Sequence, residues 1–367
     1  MSHRIAVYTI VKNESKLLLR WYETIKDADA IYVLDTGSED DTYGMLQDLA
    51  SDDKDMYVFD ATFIPFRFDR ARNFLLEQIP RDYDYAMFID VDEVMEEDWY
   101  FKLHKFIEEY PDSDAINTRM IYEEDGKGNP IYTYNRLQIH RPKHYVWHYP
   151  VHEVLVAKEL AHETYSDIKV YHRPDKKKKR DYLEMLRLGY EEYDDARSAY
   201  YYAKELYYTG NYEYAYKIGI RAYNTEQNYL LRSEIAAIIG YSFEELNDYN
   251  NAKYWFIRCY SEAIDIRESW NHAAEFYFRN GRYRSALGCI ENMLEITDIP
   301  EHTIIRHDNL YNERPLHLKA LCYEQMGHEE EAQKYIQQAF TLSPKDQNLV
   351  ADLLRIKKIP VKIIGEE

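Results

Sequence analysis

The second half of the chain repeats. The short segments Gly210-Asn211-Tyr212, Asn247-Asp248-Tyr249, Gly281-Arg282-Tyr283 and Gly327-His328-Glu329 recur at steps of 37, 34 and 46 residues. Each is followed by small or apolar residues at helical spacing: Ala215 and Ala222, then Ala252, Phe256 and Cys259, then Ala286, Ile290 and Met293, then Ala332, Ile336 and Ala339. A small residue (Ala203, Gly240, Ala274, Ala320) stands seven positions before each turn, where it lets two helices approach closely. One such helix pair cannot bury its own apolar face. The units must therefore stack, and about three or more are needed for a continuous core. The 46-residue step implies an insertion around Ile299 to Arg314, bracketed by Pro300 and Pro315.

This pattern resembles tetratricopeptide repeats, whose period is about 34 residues. Stacked helix pairs offer a concave surface, so the resemblance implies association: a homodimer, or an extended acceptor held along the array. After Pro344 a further apolar stretch, Leu349, Val350, Leu353, Leu354 and Ile356, is expected to cap the stack or meet a second copy. Many of the 38 tyrosines fall in this half and are read mainly as interhelical packing. Cys259, Cys289 and Cys322 form no CxxC and no even framework, so they read as buried thiols in a reducing compartment. The segment Met1 to Lys12 lacks the layout of a signal peptide, and no stretch approaches about 18 apolar residues, so a cytoplasmic protein without a membrane span is expected. A net charge of −20 argues against a dedicated nucleic-acid binder. The one basic run, Lys176 to Arg180, reads as the start of a solvated linker helix.

The first half follows a different rule. Ile5–Val11, Ala30–Leu34, Met56–Phe59 and Tyr85–Ile89 are short apolar strands, separated by helical spacing over Glu14–Ile25, Asp41–Leu49 and Phe68–Ile79. Near-continuous apolar strands between helices indicate a mainly parallel sheet covered on both faces. Ligands bind beyond the carboxyl ends of such strands, and Asp35 and Asp90 occupy that edge. In Asp90-Val91-Asp92-Glu93, alternation along an extended chain directs Asp90 and Asp92 to one side. Two carboxylates there can hold a hard divalent cation, Mn²⁺ or Mg²⁺, which can bridge a diphosphate. The same pair can also be a plain loop cap.

Further along, His140, His144, His148 and His152 recur every four residues, but Pro142, Pro150 and the β-branched residues oppose a helix and hence a four-histidine metal site. Val156 stands where a zincin motif begun by His152-Glu153 needs its second histidine.

Taken in order, Thr9-Ile10-Val11-Lys12-Asn13-Glu14, then Asp35-Thr36-Gly37-Ser38 with Asp40 and Thr42, then Ala71-Arg72-Asn73, then Asp90-Val91-Asp92-Glu93 resemble family 2 glycosyltransferases of the GT-A fold. The resemblance spans about residues 4 to 175. It implies a nucleotide-diphospho-sugar transferase domain with a Rossmann-like mixed sheet, a UDP-sugar as donor, hexosyl transfer with inversion, and a peptide or glycan acceptor, or less readily a modified nucleic acid. It also implies roles. Thr9 and Glu14 would border the base, Asp35 would accept from base or ribose, and Arg72 would lie near the diphosphate or base. Asp90 and Asp92 would flank the metal, with Asp92 in the catalytic machinery. His152 would be a metal or phosphate contact and Glu153 the acceptor-side base. His172 is a further diphosphate candidate, although Arg173-Pro174 follows it where relatives often place Gly. The residues leave other readings open: a helix cap for Asp35, a pair with Asp69 or another acid for Arg72, structural hydrogen bonding for His152-Glu153. Family 2 domains joined to such repeats also resemble enzymes that glycosylate bacteriocin peptides. The expected division is a GT-A domain over 1–175, a linker helix over 176–199 and helical repeats over 200–367. Two rival functions remain: a non-catalytic nucleotide-binding scaffold and a nucleotidyltransferase.

Overall fold

A computed structural model describes residues 3–124, 128, 130–175, 182–298 and 307–359. The chain forms two compact units, residues 1–193 and 194–367. The first unit thus extends past the expected boundary at 175 and takes in part of the segment read as a linker helix. The basic run Lys176 to Arg180 lies outside the described residues, as does half of the expected insertion.

In the first unit the apolar runs become strands β1 (Ile5–Val11), β2 (Ala30–Asp35), β3 (Met56–Asp60) and β4 (Tyr85–Phe88), separated by α1 (Ser15–Ile25), α2 (Thr42–Asp52) and α3 (Phe68–Gln78). Beyond β4 come β5 (Glu93–Met95), α4 (Trp99–Glu109), β6 (Ala115–Glu124), β7 (Pro130–His140), β8 (Tyr145–His148), β9 (Val154–Ala157), β10 (Glu163–His172) and α5 (Leu183–Tyr193). Eight strands form one sheet in the order β3-β2-β1-β4-β7-β6-β10-β5, and β8 pairs with β9 apart from it. β1 to β4 are parallel, as expected from sequence. Antiparallel β7 joins β4 to β6, and β10 lies parallel to β6, so the whole sheet is mixed.

Alternation along β1 sorts its residues to two cores. Ile5, Val7 and Val11 pack with Leu18, Trp21 and Ile25 of α1, Leu46 of α2 and Leu103 of α4. Ala6, Tyr8 and Ile10 face Ala71, Leu75 and Leu76 of α3 and Trp147 of β8. The parallel register aligns Val11 with Asp35 and Asp35 with Asp60, so the carboxyl ends of β1, β2 and β3 form one edge.

The second unit is helical: α6 (Ala196–Tyr208), α7 (Tyr212–Thr225), α8 (Tyr229–Glu245), α9 (Tyr249–Glu262), α10 (Arg267–Arg279), α11 (Tyr283–Glu295), α12 (Arg314–Gln325), α13 (Glu329–Leu342) and α14 (Gln347–Ile356). The four repeated turns join α6 to α7, α8 to α9, α10 to α11 and α12 to α13. Each holds one residue at positive φ: Gly210 (80°), Asn247 (59°), Gly281 (68°) and Gly327 (77°). Ala203, Gly240, Ala274 and Ala320 are buried. A Cβ on Gly240 would sit 3.1 Å from the Phe256 ring of α9, which is the close approach that the spacing implied. The apolar face of α14, Leu349, Leu353 and Ile356, packs against Ala332, Ile336 and Ala339 of α13 and closes that end of the stack.

Candidate active site

A cleft of about 1000 Å³ opens at the carboxyl edge of β1 and β4. Its floor and polar wall include Val11 to Glu14, Thr36, Arg72, Asp90 and Asp92. Phe66, Phe68, Val151, Tyr182 and Met185 make a second, apolar wall, and His152 and Glu153 stand within the same lining.

Two of the sequence motifs are knitted into one rim. Asn13 adopts positive φ (56°), a conformation that Asn tolerates better than most residues. Its backbone N–H donates to Ser38 Oγ (2.9 Å), its Oδ1 accepts from Glu39 N–H (2.7 Å), and Glu14 N–H donates to Thr42 Oγ1 (2.8 Å). Ser15 Oγ donates to Asp40 (2.7 Å). Burial opposes ionisation of Asp40, but bonds from Thr42 and Ser15 outweigh it and hold its pKa down at about 2. Asp35 does serve as a turn cap: its Oδ1 accepts from Gly37 N–H (2.8 Å) and Ser38 N–H (2.7 Å). Its Oδ2 is buried with no hydrogen-bond partner among the described residues. Thr9 is fully buried, with Oγ1 donating to Ile10 O (3.3 Å).

The Ala71-Arg72-Asn73 motif has a three-part physical reason. Ala71, fully buried, lets α3 lie close on the sheet. Asn73 clamps strand β8: its Nδ2 donates to Trp147 O and its Oδ1 accepts from Trp147 N–H, both at 2.8 Å. Arg72 is the centre of the site. It does not pair with Asp69, which Arg67 takes through two bonds of 3.0 and 2.7 Å. Arg72 Nη2 donates to Asp90 Oδ1 and Nε to Glu153 Oε1, both at 2.8 Å. Burial disfavours its charge, but Asp90 and Glu153 more than offset this and raise its pKa. The guanidinium lies near the Trp147 (4.9 Å) and Phe88 (5.2 Å) ring centroids, and Nη1 is buried with no partner among the described residues. One side chain thus fixes the spacing of two carboxylates that sequence assigned to opposite ends of the reaction.

Asp90, Asp92 and Glu93 bring carboxylate oxygens within 4.8 Å of one another. The third acid in reach is Glu93. Glu93 is already committed: it accepts from Arg136 Nη2 (2.7 Å) and from Asp90 N–H (3.1 Å). Burial raises its pKa against the opposing pull of Arg136. Asp90 and Asp92 are part-exposed at the cleft. An all-oxygen donor set of this kind suits a hard divalent cation such as Mg²⁺ or Mn²⁺. His172 reaches the same acids, with Nε2 3.7 Å from Asp92 Oδ2, and its ring stacks on Tyr122 at 4.4 Å.

His152 (φ 52°) and Tyr149 (φ 74°) are both left-handed, which costs non-glycine residues about 1 kcal/mol or more. Neighbours over-determine this loop. Phe68 N–H donates to Pro150 O (2.9 Å), Tyr149 N–H donates to Tyr193 Oη (3.1 Å), and Gly189 of α5 admits Pro150 where a Cβ would meet it at 3.2 Å. The four-residue histidine spacing proves to be strand and loop, with His140 ending β7 and His148 ending β8.

Sequence reasoning missed Arg136, Glu93 as a structural acid, α5 as a wall of the cleft, and a buried relay behind it. Trp147 Nε1 donates to Tyr8 Oη (2.9 Å), so the tyrosine proton points to His140 Nε2 (2.8 Å), which must accept. His140 is then neutral, and burial lowers its pKa to about 3. None of these carried a local motif; only pairing across strands assembles them.

The curled mixed sheet with an acidic pair at its carboxyl edge defines a GT-A-like domain, followed by helical repeats. Residues 6–162 match the family model for glycosyl transferase family 2, so the N-terminal domain is a family 2 glycosyltransferase domain. Residues 314–346 match a tetratricopeptide repeat. Among solved structures, the chain is similar to YrrB, described as a TPR protein with an unusual peptide-binding site (16% identity, 48% of this chain and 82% of that one, TM-score 0.36). It is also similar to PilF of Pseudomonas aeruginosa (18%, 48% and 72%, TM-score 0.35) and to MamA (14%, 45% and 89%, TM-score 0.37). No curated protein matches. No helix among the described residues is long and apolar enough to cross a membrane.

Proposed function

We propose that the protein is an inverting, metal-dependent hexosyltransferase that moves a sugar from a nucleoside diphosphate, UDP foremost, to a peptide or glycan acceptor. The observation that carries this reading is the Arg72 bridge, which sets Asp90 of the metal-side pair and Glu153 a fixed distance apart across one cleft. Asp90 and Asp92 would hold Mn²⁺ or Mg²⁺. A bound cation supplies positive charge against the departing diphosphate. Asp35 and Glu14 lie on the side that would take the nucleoside. Glu153 would accept the proton from the acceptor O–H or S–H as its nucleophile forms a bond to the anomeric carbon. The bond from that carbon to the phosphate oxygen breaks at the same time, and its electron pair leaves with the diphosphate. Arg72 positions both carboxylates.

The repeats would serve association, by pairing two copies or holding the acceptor. Three free, buried cysteines support a reducing, cytoplasmic location. The test is a panel of nucleotide sugars assayed for nucleoside diphosphate release with Mn²⁺, Mg²⁺ or excess EDTA. Release should require metal, and Asp92→Asn should slow it about a hundredfold or more. Full turnover in EDTA, or no turnover with any donor, would contradict the reading; the second result would favour a non-catalytic scaffold.

A further inference from the structure

The cleft has two chemistries. One wall carries the carboxylates, Arg72 and the backbone rim of Val11 to Glu14; the other is carbon. Phe66 and Phe68 come from the loop before α3 and the start of α3, Val151 from the strained turn after β8, and Tyr182 and Met185 from the entry and first turn of α5. Phe66 meets Phe68 edge-on at 5.0 Å, and Phe68 meets Tyr182 at 6.1 Å, so the three rings form a continuous surface. The loop also presents Ile64, 91% exposed, two residues before Phe66.

This wall is fixed. Arg67 pairs with Asp69 on α3 and with Glu192 on α5. Tyr193 Oη accepts from Tyr149 N–H (3.1 Å), and Gly189 seats Pro150. A prepacked apolar surface that keeps its rings part-exposed in a cleft is suited to recognition.

We propose that this wall, with α5 as its distinctive part, selects an acceptor that is a peptide with an aromatic or branched aliphatic side chain next to the nucleophilic residue. The proposal rests on the glycosyltransferase reading and deepens it. Glu153 lines the same cleft as the rings, so a group seated on them brings the adjacent residue toward the base. A glycan acceptor could stack one face on the rings, but Val151 and Met185 offer its hydroxyls no hydrogen-bond partner, and each unmatched hydroxyl costs binding. An anionic acceptor would meet the acidic pair in a chain of net charge −20. The chemistry that remains is neutral and apolar.

The test uses the full chain, Mn²⁺ and whichever nucleotide sugar it hydrolyses. Short peptides, each with one Ser, Thr or Cys flanked by Phe, Leu, Gly, Lys or Asp, are compared with neutral oligosaccharides. Peptides with Phe or Leu beside the nucleophile should be preferred about tenfold or more over those with Gly or Asp. Met185→Glu should raise KM for the Phe peptide about tenfold and shift preference toward the Lys peptide. Met185→Ala, which adds no charge, should weaken the preference without shifting it to Lys, with its melting transition checked alongside. Equal transfer across the peptides, transfer to oligosaccharides only, or donor hydrolysis with no peptide modified would overturn the proposal while leaving the glycosyltransferase reading in place. Absence of metal-dependent donor hydrolysis would instead remove that reading, and this inference with it.

Discussion

Arg72→Lys is the sharpest perturbation of the site, because it keeps the charge and removes the fork. The guanidinium spends Nη2 on Asp90 and Nε on Glu153, both at 2.8 Å. An ammonium is a point charge and cannot reproduce two bonds aimed at two carboxylates. One charge-assisted bond is therefore lost, worth about 1.5–3 kcal/mol. Some stacking near Trp147 and Phe88 goes as well. For a unit of this size about 2 kcal/mol corresponds to roughly 4–8 °C in the melting transition of the catalytic domain. The rate should suffer more, by a factor on the order of a hundred, because Asp90 and Glu153 lose their fixed spacing. The assay pairs thermal melting with steady-state transfer for Arg72→Lys, Glu153→Gln and the double variant. If Arg72 acts through Glu153, the double variant loses less than the sum of the singles. A melting point within a degree of the parent and a rate within twofold, or strictly additive losses, would refute the bridge as the organising element.

Other consequences follow from single residues. Asp35→Asn keeps an oxygen to cap Gly37 and Ser38 but replaces the carboxylate; calorimetry should show nucleoside diphosphate affinity falling about tenfold at nearly unchanged stability. His140 stays neutral in the fold with a pKa of about 3, whereas the unfolded chain takes up a proton near 6.5. Stability is thus full above that value and falls as pH drops toward 3, by about 2 kcal/mol between pH 7 and 5; urea titrations of the parent and His140→Gln should show a shallower loss in the variant. Gly219→Ala would place a Cβ 2.7 Å from Ile239 Cγ1, so α7 and α8 must part, and denaturation should report a loss of about 1–3 kcal/mol confined to the helical unit.

The elements with a period were legible in sequence. The four apolar runs of β1 to β4 and the four turns of the repeats lie where alternation and spacing put them, because each of those signals is local. Asp35, Arg72, Asp90, Asp92, His152 and Glu153 were singled out by motif, and the fold brings five of them to one region, with Asp35 just beneath its rim. Partners were not legible. Nothing in the order of residues says that Arg72 chooses Asp90 and Glu153 over Asp69, or that Glu93 is held by Arg136 from a strand 43 residues away. For Thr9 the motif gives a position along β1 but not the side of the sheet, and the side chain proves to be buried. Beyond the basic run, α5 is fastened by Gly189, Glu192 and Tyr193, none of which has a recognisable signature.

That fastening changes where the catalytic piece may be cut. The family match stops at 162, and the last strand of the sheet at 172. A fragment ending there would lose the glutamate that shares Arg67, the hydroxyl that holds the Tyr149 backbone and the glycine that seats Pro150. It would retain every residue of the acidic pair yet leave the turn bearing His152 and Glu153 with two left-handed residues and little to enforce them. Such a fragment should bind donor better than it transfers. The natural terminus of an independent catalytic piece is Tyr193, where the first unit ends.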